Sequence, residues 1–270
     1  MKFGFNITFD TNIPEQTLVY QTSNFKKELK GVIEEAISKS DVSVIYKHAE
    51  VVNNWFPKGG YHIFISHSHK DANRAKYIAN KLYENYGIKS FIDSEFWGYV
   101  DEIISEINHE HFPCGENNEY LIYESCMKVA SNFYLILGDA LLDAINLSDS
   151  CWFLNTSNSI HCTDSLEKAT YSPWIYTELK YTSVIERNWH PEREVIALES
   201  IIKAGNGMEK ISESANVCVE YIAPLNHLIT VTENKLELIL DKKIGDIGSL
   251  KHRNNKHFYW LNSIYEELFK

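Results

Sequence analysis

From Tyr61 onward the chain alternates short apolar runs with amphipathic stretches. His62 to Ser66 is apolar on both faces through Ile63, Phe64 and Ile65, as a parallel strand covered by helices on both sides should be. The next stretch sets Ala75, Ile78, Ala79 and Leu82 at three- and four-residue steps. That spacing predicts a helix that Asp71 can cap and that ends near Gly87. Ile88 to Ile92 follows as a second strand, so the three segments form a βαβ unit, whose right-handed crossover implies a parallel sheet.

Further along, Ser94 to Asn118 reads as irregular, with a short helix at Val100 to Ile107, and a longer helix is expected from about Tyr123 to Asn146. Cys151 to Leu154, Val195 to Leu198 and Val217 to Ile222 are candidate strands, and Pro173 suits the first position of a helix running to about Glu186. Ahead of these, Phe25 to Ile37 has helical spacing, Val42 to Tyr46 resembles a short strand, and Pro57-Lys58-Gly59-Gly60 punctuates the chain. That punctuation sets off an N-terminal extension (1–57); the family resemblance given below implies the remaining bounds, a main domain (58–224) with a long insertion near 94–125 and a C-terminal extension (225–270) packed on the same domain. The fold class is α/β, a doubly wound, flavodoxin-like, mainly parallel sheet flanked by helices. Ligands of such sheets bind outside the carboxyl ends of the strands. Here the loops at Ser66 to Lys70, Asp93 to Trp97 and Asn155 to Ser172 gather at that end.

At 270 residues and 44% hydrophobic, the chain is long enough for a sizeable core without staples. Lys and Arg total 26 against 37 Asp and Glu, and the resulting charge of -11 argues against generic nucleic-acid binding, which needs a basic face. The five cysteines (Cys114, Cys126, Cys151, Cys162, Cys218) form no CxxC pair, so reduced thiols are expected and neither a disulfide framework nor a zinc knuckle. MKFGFNITFDTNIPEQ lacks the apolar stretch of a signal peptide, and no run approaches a membrane span. A soluble cytoplasmic protein with no membrane partner is the expectation.

Two segments carry candidate chemistry. Ser66-His67-Ser68-His69-Lys70-Asp71 is a dense polar loop directly after an apolar strand. Its serines and Lys70 can hold hydroxyls or phosphates, although Asp71 can equally be a helix cap and the serines turn formers. On the helix opened by Pro173, Glu178 shares a face with Trp174, Tyr181 and Ile185. A carboxylate between aromatics suits proton work or stabilisation of positive charge, while position alone favours an ordinary solvated glutamate. His67 with His69, and His109-Glu110-His111 with Cys114, lack a convincing ligand set, so no metal is expected. Gly205-Asn206-Gly207 lacks a third glycine, and the chain has neither a GxxxxGK[ST] loop nor a GxSxG elbow, which argues against P-loop phosphoryl transfer, ordinary hydride transfer and serine-esterase chemistry.

In combination these segments resemble the Toll/interleukin-1 receptor (TIR) domains, particularly bacterial ones of the kind found in anti-phage defence (Thoeris-like). FISHSHKD (Phe64 to Asp71) looks like the family's first strand and loop, and IKSFID (Ile88 to Asp93) like its second strand, with Ser94 to Tyr99 in the place of the BB loop. SPWIYTEL (Ser172 to Leu179) is similar to S-x-W-C-x-x-E-L, with Tyr176 near where the eukaryotic pattern has cysteine, and INLSDSCWFLNT (Ile145 to Thr156) resembles the stretch before that helix. The likeness covers about Gly59 to Pro224. The connection at 94–125 is longer than usual, and the flanks have no counterpart.

The resemblance implies an enzyme that cleaves the nicotinamide-ribose bond of NAD, with NAD as substrate rather than cofactor. The product is ADP-ribose or a cyclic or otherwise modified nucleotide signal, and the setting is bacterial anti-phage immunity. It maps the catalytic carboxylate onto Glu178 and substrate binding onto Ser66, His67, Phe64, Lys70, Asp93, Trp97 and Trp174, of which Phe64 and Trp174 also suit core packing. Self-association through TIR surfaces and a downstream effector sensing the nucleotide product are the implied partners. The rival expectations are a non-enzymatic TIR adaptor that signals by domain-domain assembly through the Ser94 to Tyr99 loop, and a nucleoside-processing enzyme of the deoxyribosyltransferase-like fold.

Overall fold

The computed structural model describes residues 1–20, 60–97, 100–115, 120–190, 219–241 and 256–269. The expected helix at Phe25 to Ile37 and the expected strands at Val42 to Tyr46 and Val195 to Leu198 lie outside them, as does the Gly205-Asn206-Gly207 segment. Two compact units divide the chain, the first of Met1–Gln21, Gly60–Ile92 and Ile145–Lys270, the second of Thr22–Gly59 and Asp93–Ala144.

The first unit is α/β. In chain order its elements begin with β1 (Phe3–Thr8), β2 (Ile63–Ser66), a single 3-10 turn (His69–Asp71), α1 (Ala72–Tyr86) and β3 (Ser90–Ile92). The second unit supplies α2 (Ser94–Trp97), α3 (Val100–His111), β4 (Pro113–Cys114), β5 (Tyr120–Leu121) and most of α4 (Tyr123–Leu147). The first unit then resumes with β6 (Ser150–Asn155), β7 (His161–Cys162), β8 (Lys168–Thr170), α5 (Pro173–Val184), β9 (Tyr221–Ile222), β10 (Ile229–Val231), α6 (Glu233–Asp241) and α7 (Lys256–Phe269).

Five strands make one parallel sheet in the order β10-β1-β6-β2-β3. β3, β2 and β6 keep the 2-1-3 succession of a flavodoxin-like sheet. The next place is taken by β1, from the region read as an N-terminal extension, and β10, from the region read as a C-terminal one, forms the edge. Phe3–Thr8 and Ile229–Val231, from the two regions read as extensions, are therefore strands of the main sheet. The candidate strand at Val217 to Ile222 is reduced to Tyr221–Ile222, and it joins an antiparallel three-stranded sheet with β7 and β8 instead of the main one.

Strand alternation separates the two faces. Phe5, Ile7, Ile63, Ile65, Trp152 and Leu154 point to one side, where Ala75, Ile78, Ala79 and Leu82 of α1, Leu236 and Ile239 of α6 and Leu261 and Ile264 of α7 cover them. Phe153 points to the other, against Ile175 and Leu179 of α5. Helices thus flank both faces, as both-sided burial of the strands requires. α1 ends as its sequence predicts, because Gly87 adopts a left-handed φ of 68° and its N–H bonds the Tyr83 carbonyl at 2.8 Å.

In the second unit, Val100, Ile103, Ile104 and Ile107 form the buried stripe of α3, which continues to His111, beyond the expected Ile107. Ser94–Trp97, expected as loop, is a single helical turn. Among the described residues, no helix is long and apolar enough to cross a membrane.

Candidate active site

Ser66 ends β2, and its side chain follows Phe64 onto the α5 face of the sheet because the strand period is two. α5 starts where Ser172 accepts a hydrogen bond from the Ile175 amide at 3.2 Å and Pro173 occupies the first helical position, which needs no donor. With Ile175 and Leu179 packed on Phe153, the helix turns Glu178 inward. The Ser66 hydroxyl donates to Glu178 Oε2, across 112 residues of sequence. Glu178 is 1% exposed and Ser66 0%. The solvated glutamate suggested by helix position alone is therefore corrected: this carboxylate is buried and held by a hydroxyl.

The location matches the topological rule for open α/β sheets. α1, which follows β2, packs on one face, whereas α5, which follows β6, packs on the other, so the carboxyl ends of β2 and β6 flank a switch point. The loops leaving these two ends are tied together by Asp71. Thr156 Oγ1 donates to Asp71 Oδ2 at 2.6 Å, Asn158 Nδ2 donates to Asp71 Oδ1 at 2.9 Å, and Arg74 Nη1 pairs with the same oxygen. Asp71 does stand at the start of α1, yet its side chain makes no capping bond. The capping role expected of it is thus replaced by a link between loops.

The other predicted site residues fall into three groups. His67 is buried beside Ser66, its Nδ1–H donating to the Ile65 carbonyl at 3.2 Å. Lys70 is exposed on the same loop, and Trp174 is half-buried one turn before Glu178. Phe64 is 0% exposed and stacks on Phe91 with centroids 5.4 Å apart, which places it within the sheet packing. Asp93 and Trp97 belong to the second unit, where Asp93 is buried and Trp97 ends α2.

Sequence reasoning did not find Arg74, Thr156 and Asn158. Asp71 and Thr156 lie inside recognised stretches, but nothing local signals a partnership across 85 residues. Among the described residues, no group of three or more His, Cys, Asp or Glu side chains is arranged to hold a metal ion. Cys114, Cys126, Cys151 and Cys162 are free thiols.

A buried carboxylate with a fixed hydroxyl partner, at the carboxyl end of a parallel sheet, can stabilise a developing cation or take part in proton transfer. No protein-family model, curated protein or solved structure gives a significant match to the chain.

Proposed function

We propose that this protein is a TIR-type NAD-processing enzyme, in which Glu178 acts on the nicotinamide-ribose bond. The observation that carries the reading is the burial of Glu178 against Ser66 at the sheet's switch point. A carboxylate needed only for solubility would face water, and taking it out of water costs several kcal/mol unless it is paired or hydrogen-bonded. Its retention there supports a chemical task.

In the proposed step the bond from ribose C1′ to the nicotinamide nitrogen breaks, and its electron pair leaves with the base, which becomes neutral. Positive charge then spreads over C1′ and the ring oxygen, where a carboxylate stabilises it. Capture by water yields ADP-ribose and a proton. Capture by a group of the adenine or ribose yields a cyclic nucleotide. Ser66, His67 and Lys70 are proposed to hold the nucleotide from the β2 loop, with Trp174 as a further contributor and a role in anti-phage signalling as the biological setting. Incubating concentrated protein with NAD, with and without extract of phage-infected cells, and identifying products by mass spectrometry tests the reading. Free nicotinamide together with ADP-ribose or a cyclic nucleotide supports it, whereas intact NAD under both conditions favours the non-enzymatic adaptor.

A further inference from the structure

Three candidates stand out beyond the Ser66–Glu178 pair: the histidines around His62, the half-exposed stack of His161 on Tyr171, and the polar network centred on Asp71. The histidines bear on stability and His161 of the stack pairs with Glu220, whereas the network reaches both halves of the site.

Asp71 is 1% exposed. A buried carboxylate is tolerable only when donors surround it, and three converge here, from Thr156, Asn158 and Arg74. Thr156 is itself held, because its Oγ1 accepts the Asn158 amide at 3.1 Å while the Ser159 and Ile160 amides bond its carbonyl at 3.1 and 3.0 Å. The turn so formed ends at Ile160, which packs in the same cluster as Ile175 and Leu179 of α5, the residues flanking Glu178. On its other side, Asp71 closes the 3-10 turn that begins three residues after Ser66. One carboxylate thus fixes the loop carrying the hydroxyl and the loop against which the helix carrying Glu178 is packed. Arg74 extends the belt, its Nε and Nη2 donating to the carbonyls of Thr11 and Asp10 at 2.9 Å each, while Glu233 accepts the amides of those two residues. The segments after β2, β6, β1 and β10 are joined along the carboxyl end of the sheet.

We propose that Asp71 is a positioning residue: it holds Ser66 and Glu178 in register without touching the reacting atoms, an assignment that rests on the NAD reading above. The variants are Asp71→Asn, which keeps the shape and loses the charge, and Thr156→Val, which keeps the volume and loses the donor. Folding is verified for each by circular dichroism. In nicotinamide-release assays both should lower kcat by about 10-fold or more while KM changes less than about 3-fold, since a misplaced group costs rate rather than ground-state binding. An unchanged kcat in both folded variants would overturn the assignment. Amide exchange separates this outcome from failure of the NAD reading itself. Even if the wild-type chain releases no nicotinamide, Asp71→Asn should speed exchange by about 10-fold at residues 66–67 and 158–160 together. Unchanged exchange at residues 66 and 67 would refute the coupling.

Discussion

Ser66 donates the hydrogen bond that fixes one oxygen of Glu178, so removing its hydroxyl acts directly on the carboxylate. Ser66→Ala should reduce stability by about 1–3 kcal/mol, because a buried charged acceptor loses a donor. A urea titration reading the midpoint checks this, and a midpoint equal to wild type would show that the pair carries no weight. The residue types at this centre were legible from FISHSHKD and SPWIYTEL. The burial of Glu178 was not, since a glutamate on an amphipathic helix is ordinarily solvated, and only the packing of Ile175 and Leu179 on Phe153 sets which side turns inward. Asp71 shows the same limit. A carboxylate at a helix start reads as a cap, and its actual partners at 156 and 158 are fixed by strand order, which no local pattern encodes.

β1 is the element whose place was hardest to foresee. FGFNIT alternates apolar and polar residues only partly, with Gly4, Asn6 and Thr8 facing away from the main core, and it precedes the clear βαβ pattern by more than fifty residues. Its position between β6 and β10 makes Phe5 a core residue, 0% exposed, with its ring against Trp152, Tyr265 and Phe269 at centroid distances of 6.1, 5.8 and 6.0 Å. Phe5→Ala should therefore cost about 3–5 kcal/mol. Were residues 1–20 a peripheral extension, the loss would stay below about 0.5 kcal/mol, and thermal or urea unfolding distinguishes the two. By contrast, α1, β2, β6 and α5 follow closely from periodicity, an N1 proline and a terminal glycine, because those signals act within a few residues. Of the three-stranded antiparallel sheet only β9 was legible, as part of Val217 to Ile222, since strands of two or three residues such as β7 and β8 carry no period.

Across the whole molecule, a histidine cluster near the start of β2 is expected to make stability depend on acid pH. His62 is 5% exposed, its ring centroid 4.1 Å from that of His257 and 6.0 Å from that of His190. Burial, and then the positive charge that His257 and His190 would carry, lower its pKa to about 3, with the backbone hydrogen bond to Lys89 and then Asp149 opposing. The folded pKa lies below the unfolded value of about 6.5, so the unfolded chain binds the extra proton between those limits. The stability associated with His62 is complete above about pH 7 and declines as pH falls towards 3, by up to about 5 kcal/mol. Burial also lowers His227, to about 4, and so acts in the same direction. Unfolding free energy measured from pH 8 to pH 4 should show this decline, and His62→Asn should flatten it; equal slopes in the two proteins would remove His62 as the cause. The central claim concerns the carboxylate, and the most direct measurement compares nicotinamide release from NAD by wild-type protein and by Glu178→Gln, both at high concentration and both verified as folded. The account predicts release by the wild type and a loss of at least about 100-fold in the variant. Equal release by the two proteins would contradict it.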